Sequence, residues 1–225
     1  VAITGTLAEG ETLMASNGLS DEDGMGAISY QWQRDGIDIT GANNSTYLLS
    51  GIDVGAAITV VASYTDGKGA SESVASDATP IIGNVNDLPA GSVMITGTLA
   101  EDETLTASNT LSDADGLGAI SYQWQRDGVD ISGAINSTYI LSGDDVDATI
   151  NVVASYIDAQ GTNESVSSNA TSMVSNVNDA PTGSVTITGT LAEDETLTAS
   201  NTLSDEDGLG TVSYQWQRDS IDITG

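Results

Sequence analysis

Apolar and polar residues alternate along most of the chain in short runs, and the runs are separated by Gly, Asn, Asp and Ser. A period of two is the signature of half-buried β-strands, and no stretch carries the spacing of an amphipathic helix. In Ile28-Ser29-Tyr30-Gln31-Trp32-Gln33-Arg34 the alternation puts Ile28, Tyr30 and Trp32 on one face, with Ser29, Gln31 and Gln33 facing out. Trp32 is the expected anchor of the core. Further strands are predicted at Ile3, Thr12–Ala15, Tyr47–Leu49, Ile58–Tyr64, Glu72–Ser76 and Ile81–Ile82. Seven or so short strands fit a two-sheet sandwich.

The whole pattern recurs at about 92 residues. Gln-Trp-Gln-Arg-Asp occurs three times, around Trp32, Trp124 and Trp216. Ile3–Glu9 returns as Ile95–Glu101 and Ile187–Glu193, and the linker Asn84-Val85-Asn86-Asp87-Leu88-Pro89 returns as Asn176-Val177-Asn178-Asp179-Ala180-Pro181. Thr12-Leu13-Met14-Ala15 becomes Thr104-Leu105-Thr106-Ala107, which keeps Leu and Ala and changes the position expected to face solvent. Such a period is too long for a solenoid and suits a small domain. The chain therefore divides into β-sandwich repeats at residues 1–87 and 88–179, with a partial third at 180–225 that reaches its third strand. Completion of the third is expected from a continuing chain or from another chain.

Charge narrows the chemistry. Thirty-three acidic side chains face four basic ones, a formal net charge of -29. Nucleic acid and anionic membranes are thereby disfavoured as partners, and cations are the natural counterpart. Without Cys there is no disulfide framework or thiolate site, and without His the commonest transition-metal ligand and general base are missing. Hard cations remain. No apolar run approaches the roughly 18 to 20 residues that span a bilayer, so membrane insertion is not expected. The sequence opens Val1-Ala2-Ile3-Thr4 without a signal-peptide pattern, which places any export signal or anchor outside it.

An immunoglobulin-like path sorts the acidic loops by end. The turn after the first strand (Glu9, Glu11) and the turn at Asp53 fall at the bottom of a repeat, beside Asn84, Asn86 and Asp87. The loops Asp21-Glu22-Asp23-Gly24 and that beginning at Asp66 fall at the top. Stacking the second repeat below the first brings the bottom set towards Asp113, Asp115 and Asp158. Such carboxylates repel, and a cation with six to eight oxygen ligands would turn the repulsion into a rigid joint. Calcium fits this better than magnesium.

A Trp in the third strand and Asp53-Val54-Gly55 before a long apolar strand resemble the immunoglobulin-like pattern, although Ala57 stands where a tyrosine corner would place Tyr. The Asn-x-Asn-Asp-x-Pro linkers, the Asp-x-Asp-Gly loops and the Asp after the sixth strand resemble the calcium-binding elements of cadherins. Over essentially its full length the chain resembles the tandem cadherin-like or immunoglobulin-like extender repeats of large bacterial adhesins exported by type I secretion. That resemblance implies calcium ligands at Asn86, Asp87, Asp113, Asp115 and Asp158 in the first junction and at Asn178, Asp179, Asp205 and Asp207 in the second. Glu9, Glu11 and Asn84, with Glu101, Glu103 and Asn176, complete the candidate set. Asn84 and Asn176 stand where cadherin linkers usually carry Asp. Asp144, Asp145 and Asp147 crowd the second repeat's turn, so the two junctions need not bind alike.

Plainer readings stand beside these. Asp-x-Asp-Gly is also an ordinary turn sequence. Glu9, Glu11, Glu101 and Glu103 could be solvated turn residues, and acidity alone suits a salt-rich habitat. Arg34 and Arg126 are expected to pair with Asp53 and Asp145, taking those carboxylates from calcium. The sequence points away from an enzyme, because no nucleophile stands beside a base. Its expected role is a calcium-stiffened spacer of an adhesin, extracellular or on a bacterial cell surface, whose partners are neighbouring repeats of the same chain. Alternatives are a self-assembling extracellular filament built from other copies, or a ligand-binding adhesive module.

Overall fold

The computed structural model describes residues 1–224 and is all-β. In the first repeat the strands are β1 (Ala2–Thr4), β2 (Thr12–Ser16), β3 (Ser29–Arg34), β4 (Ile37–Asp38), β5 (Thr46–Leu48), β6 (Ile58–Thr65) and β7 (Ser71–Ala75). They form two antiparallel sheets, ordered β1-β2-β5 and β4-β3-β6-β7. In the second repeat β8 (Val93–Thr96), β9 (Thr104–Asn109) and β12 (Thr138–Ile140) make the three-stranded sheet. The four-stranded one comprises β10 (Ser121–Arg126), β11 (Val129–Asp130), β13 (Ile150–Ile157) and β14 (Asn163–Ser167). The third repeat shows two hairpins, β15 (Val185–Thr188) with β16 (Thr198–Asn201), and β17 (Gln217–Arg218) with β18 (Ile221–Asp222).

Alternation decides what is buried. Leu13, Trp32, Leu49, Ile58, Val60 and Ile82 make the first core, and Met14 between Leu13 and Ala15 is 57% exposed. The Trp32 ring stacks on Tyr47 with centroids 5.7 Å apart, and its indole N–H donates to the Asn44 carbonyl at 2.9 Å. A large ring is thereby buried without leaving its donor unpaired. Trp124, Tyr139 and Asn136 repeat the arrangement.

Two details depart from the sequence pattern. Ile81–Ile82 is not a strand: Ile82 makes an isolated parallel bridge to Val54, and Gly83 one to Ala8. Gln31 and Gln33 are half-buried rather than open. The Gln31 amide donates to the carbonyls of Trp32 and Ile39, both at 2.8 Å. The cause is a hairpin onto β4, turned by Asp35 and Gly36 with φ of 47° and 78°, the paired positive φ of a two-residue type I′ turn.

The chain divides into two compact units: Val1–Gly91 with Leu111–Ala119 and Tyr156–Ser165, and Ser92–Thr110 with Ile120–Ser155 and the chain from Val166 onward. The first unit thus gathers the first repeat, its linker and two loops of the second repeat. Among the described residues no helix is long and apolar enough to cross a membrane.

Candidate metal centre

Within the first unit three routes lead to one place. The turn after β1 is fixed by the Glu9 N–H donating to the Gly83 carbonyl at 3.0 Å and the Glu11 N–H to the Ala8 carbonyl at 3.2 Å. The linker follows Gly83 directly and carries Asp87. The third contributor is the loop between β9 and β10, where the Asp115 N–H donates to Asp113 Oδ1 at 2.8 Å and Gly116 takes the left-handed φ of 96°. The Asp87 N–H then donates to Asp115 Oδ2 at 2.8 Å, fastening linker to loop. Carboxylate oxygens of Glu9, Asp87 and Asp115 lie within 4.8 Å of one another.

Asp158 follows β13 and is 5% exposed. Its Oδ1 accepts the N–H groups of Gln160 at 2.9 Å and Thr162 at 2.7 Å. Burial opposes its ionisation, yet the bonds from Thr162, Gln160 and Gly161 hold the carboxyl below its ordinary range. Its other oxygen is buried without a hydrogen-bond partner. So are Glu9 Oε2 and Asn84 Oδ1. All three orphans are acceptors, so a cation or a water satisfies them and a further carboxylate does not. Oxygen-only donors in this number fit a hard cation.

The other predicted residues sort unevenly. Asn86 is exposed and donates to Glu164 Oε1 at 2.8 Å, and Asp113 is half-buried. Glu11 and Glu103 are exposed and stand outside the carboxylate groups. Asp53 and Asp145 face inward to Arg34 at 2.6 Å and Arg126 at 2.8 Å, as expected of the competing ion pairs.

The second unit repeats the plan with a change. Glu101, 4% exposed, groups with Asp179 and Glu206, and the Asp179 N–H donates to Asp207 Oδ2 at 2.8 Å. Asp205 Oδ1 accepts the Asp207 N–H at 3.0 Å. Asn178 donates to the Asp179 carbonyl at 2.9 Å, and exposed Asn176 lines an open cavity of about 770 Å³ with Glu101, Asp144, Asp147, Glu206 and Asp207. Glu206 occupies the repeat position of Ala114, so this site has a carboxylate that the site of Glu9, Asp87 and Asp115 lacks; Glu22 holds the same position in the first repeat.

No family model matches the chain, and no curated protein does. The site is therefore read from its own geometry. The loops of Asp21, Asp23 and Asp66, expected together at the top of the first repeat but not named as ligands, form a further group whose oxygens also lie within 4.8 Å of one another. The 92-residue period was the available signal, since these residues precede Asp113, Asp115 and Asp158 by one repeat. Glu206 and Glu164 were also missed.

Electrostatics give a test. Burial, then the charges of Asp87 and Asp115, push the Glu9 carboxyl above its ordinary value. A carboxyl raised on folding destabilises the fold progressively as pH rises through the window between its ordinary and folded values. In chelator at neutral pH, Glu9→Gln is therefore expected to melt at or above the wild-type temperature while losing its response to added divalent cation. A lower melting point in chelator would show that Glu9 acts as a turn residue.

Proposed function

We propose that the chain is a run of structural spacer repeats from a secreted or cell-surface adhesin, with calcium stiffening the joints between repeats. The observation that carries this reading is the Glu9, Asp87 and Asp115 carboxylate group, in which Glu9 buries an oxygen with no hydrogen-bond partner; Asn84 and Asp158, in the same unit, bury one such oxygen each. Orphaned buried acceptors are rare in folded proteins because each carries a desolvation penalty of about 1–3 kcal/mol. When bound, the cation supplies the positive charge that this acidic joint lacks.

The residues divide the work. Glu9 reaches in from the first repeat, Asn84 and Asp87 from the linker, and Asp115 and Asp158 from loops of the second. Ligands drawn from all three would tie the linker at both ends. Calcium is favoured over magnesium because it accepts six to eight oxygens in flexible geometry, whereas magnesium keeps several of its waters. The near-identity of the repeats suits a role based on length and stiffness, and the surface location rests on composition and on the resemblance to adhesin extenders.

The test is a calcium titration of the whole chain, with magnesium and sodium chloride at matched ionic strength, followed by melting temperature and by small-angle scattering. A calcium-selective rise in melting temperature together with a narrower distribution of dimensions is expected. Equal effects from all three salts would reduce the interaction to charge screening and remove the calcium joint.

A further inference from the structure

The sixth strand of each complete repeat carries, one residue before its end, a tyrosine that reaches back to the acidic loop. In the second repeat the Tyr156 hydroxyl donates to Asp113 Oδ2 at 2.5 Å, and in the first the Tyr64 hydroxyl donates to Asp21 Oδ2 at 2.8 Å. The other oxygen of each aspartate accepts a backbone N–H within the loop, from Asp115 and from Asp23, both at 2.8 Å. A relay follows in the first unit: the Tyr156 hydroxyl fixes Asp113, Asp113 fixes the Asp115 backbone, and Asp115 Oδ2 receives the Asp87 N–H. Every link is a hydrogen bond to a carboxylate, the stronger class.

We propose that Tyr156 is a positioning residue for the cation site: its hydroxyl presets the loop that carries Asp115. The inference rests on the calcium reading. Each oxygen of Asp113 accepts one bond, so lone pairs stay open on a carboxylate whose orientation is already set. Tyr156 is 4% exposed near the end of β13, which anchors the phenol in the sheet rather than in the loop. The Asp113–Asp115 bond on its own joins residues two apart within one loop, whereas Tyr156 ties that loop to a strand 43 residues away.

Groups that orient metal ligands typically change metal affinity about 10–100-fold when removed. Tyr156→Phe removes the hydroxyl and keeps the ring. Tyr122→Phe is the matched control, because the Tyr122 hydroxyl accepts from Asn109 at 2.7 Å in the same repeat without touching Asp113. Calcium affinity of the whole chain would be measured by calorimetry alongside circular dichroism and the melting temperature in chelator.

Tyr156→Phe is expected to bind calcium at least about tenfold more weakly at one site, with Tyr122→Phe unchanged. A purely structural tyrosine would lower the chelator melting temperature in both variants alike and leave affinity intact, which would overturn the proposal. If Tyr156→Phe fails to fold, Asp113→Ala carries the test, since it removes both acceptor oxygens of the relay from the loop side. Wild-type affinity retained in that variant would also overturn the proposal. If the wild-type chain binds no calcium, the calcium joint fails and this inference with it. If the wild type binds and Tyr156→Phe binds equally, this inference alone fails.

Discussion

Asp53→Ala is expected to destabilise the first repeat by about 3–5 kcal/mol, the range seen when one partner of a buried ion pair is removed. The Asp53 carboxylate is fully buried. Its Oδ1 accepts Arg34 Nε at 2.8 Å and lies 2.6 Å from Arg34 Nη2; its Oδ2 accepts the Ser50 N–H at 2.9 Å and hydroxyl at 3.1 Å; the Tyr47 hydroxyl stands 3.0 Å from both oxygens. One side chain thus ties β3, β5 and the turn before β6. Alanine would strand Arg34, whose side chain is only 25% exposed. Exchange of the β3 and β6 amides reads the loss locally. The double variant Arg34→Met with Asp53→Ala should lose clearly less than the sum of the singles. A change below about 1 kcal/mol in Asp53→Ala would place the pair among ordinary surface bridges.

The equivalent pair in the second repeat sets the pH behaviour. Burial works to raise the Asp145 carboxyl, but bonds from Arg126, Ser142 and Tyr139 outweigh it and hold the group below its ordinary value. Its contribution is therefore complete above the ordinary carboxylate range and is lost as pH falls through the lowered value. Acid below that point removes the charge that pairs with Arg126 and so weakens this turn.

Much of this was legible in the sequence because it depends on period. Alternation separates Leu13 from Met14, and the recurrence of Gln-Trp-Gln-Arg-Asp marks the cores of the first two repeats. Paths joined by short turns bring Glu9, Asp87 and Asp115 to one end, so their convergence follows once the sandwich is assumed. The short hairpin onto β4 was missed although Asp35-Gly36 is a strong turn signal, because only two residues follow it in the strand and no alternation can be counted. Glu11 stands outside the carboxylate group: it lies two positions from Glu9 across a tight turn, and its side chain is exposed. Tyr156 and Glu164 act across 43 and 78 residues, and such pairings depend on the reach of single side chains that pattern does not encode.

Asp115→Asn is expected to abolish most of the stabilisation that calcium confers on the first joint. A ligand that binds only the folded state adds about 2.7 kcal/mol at a free concentration one hundred times its dissociation constant. Asp115 is the pivot of the site: it is 7% exposed, belongs to the carboxylate group with Glu9 and Asp87, and receives the linker through the Asp87 N–H. Asn keeps the shape and one carbonyl oxygen, so the Asp87 bond can persist while the ligand charge falls by one. In chelator, removing a charge that raises the Glu9 carboxyl should leave the fold unchanged or slightly more stable. Opposite signs with and without calcium separate a metal ligand from a capping turn, because loss of a structural turn lowers stability under both conditions. Asp207→Asn serves as the internal comparison: Glu206 adds a carboxylate to the second group where the first has Ala114, so the calcium gain there should fall by less. Equal losses at both positions would mean that Glu206 contributes no ligand.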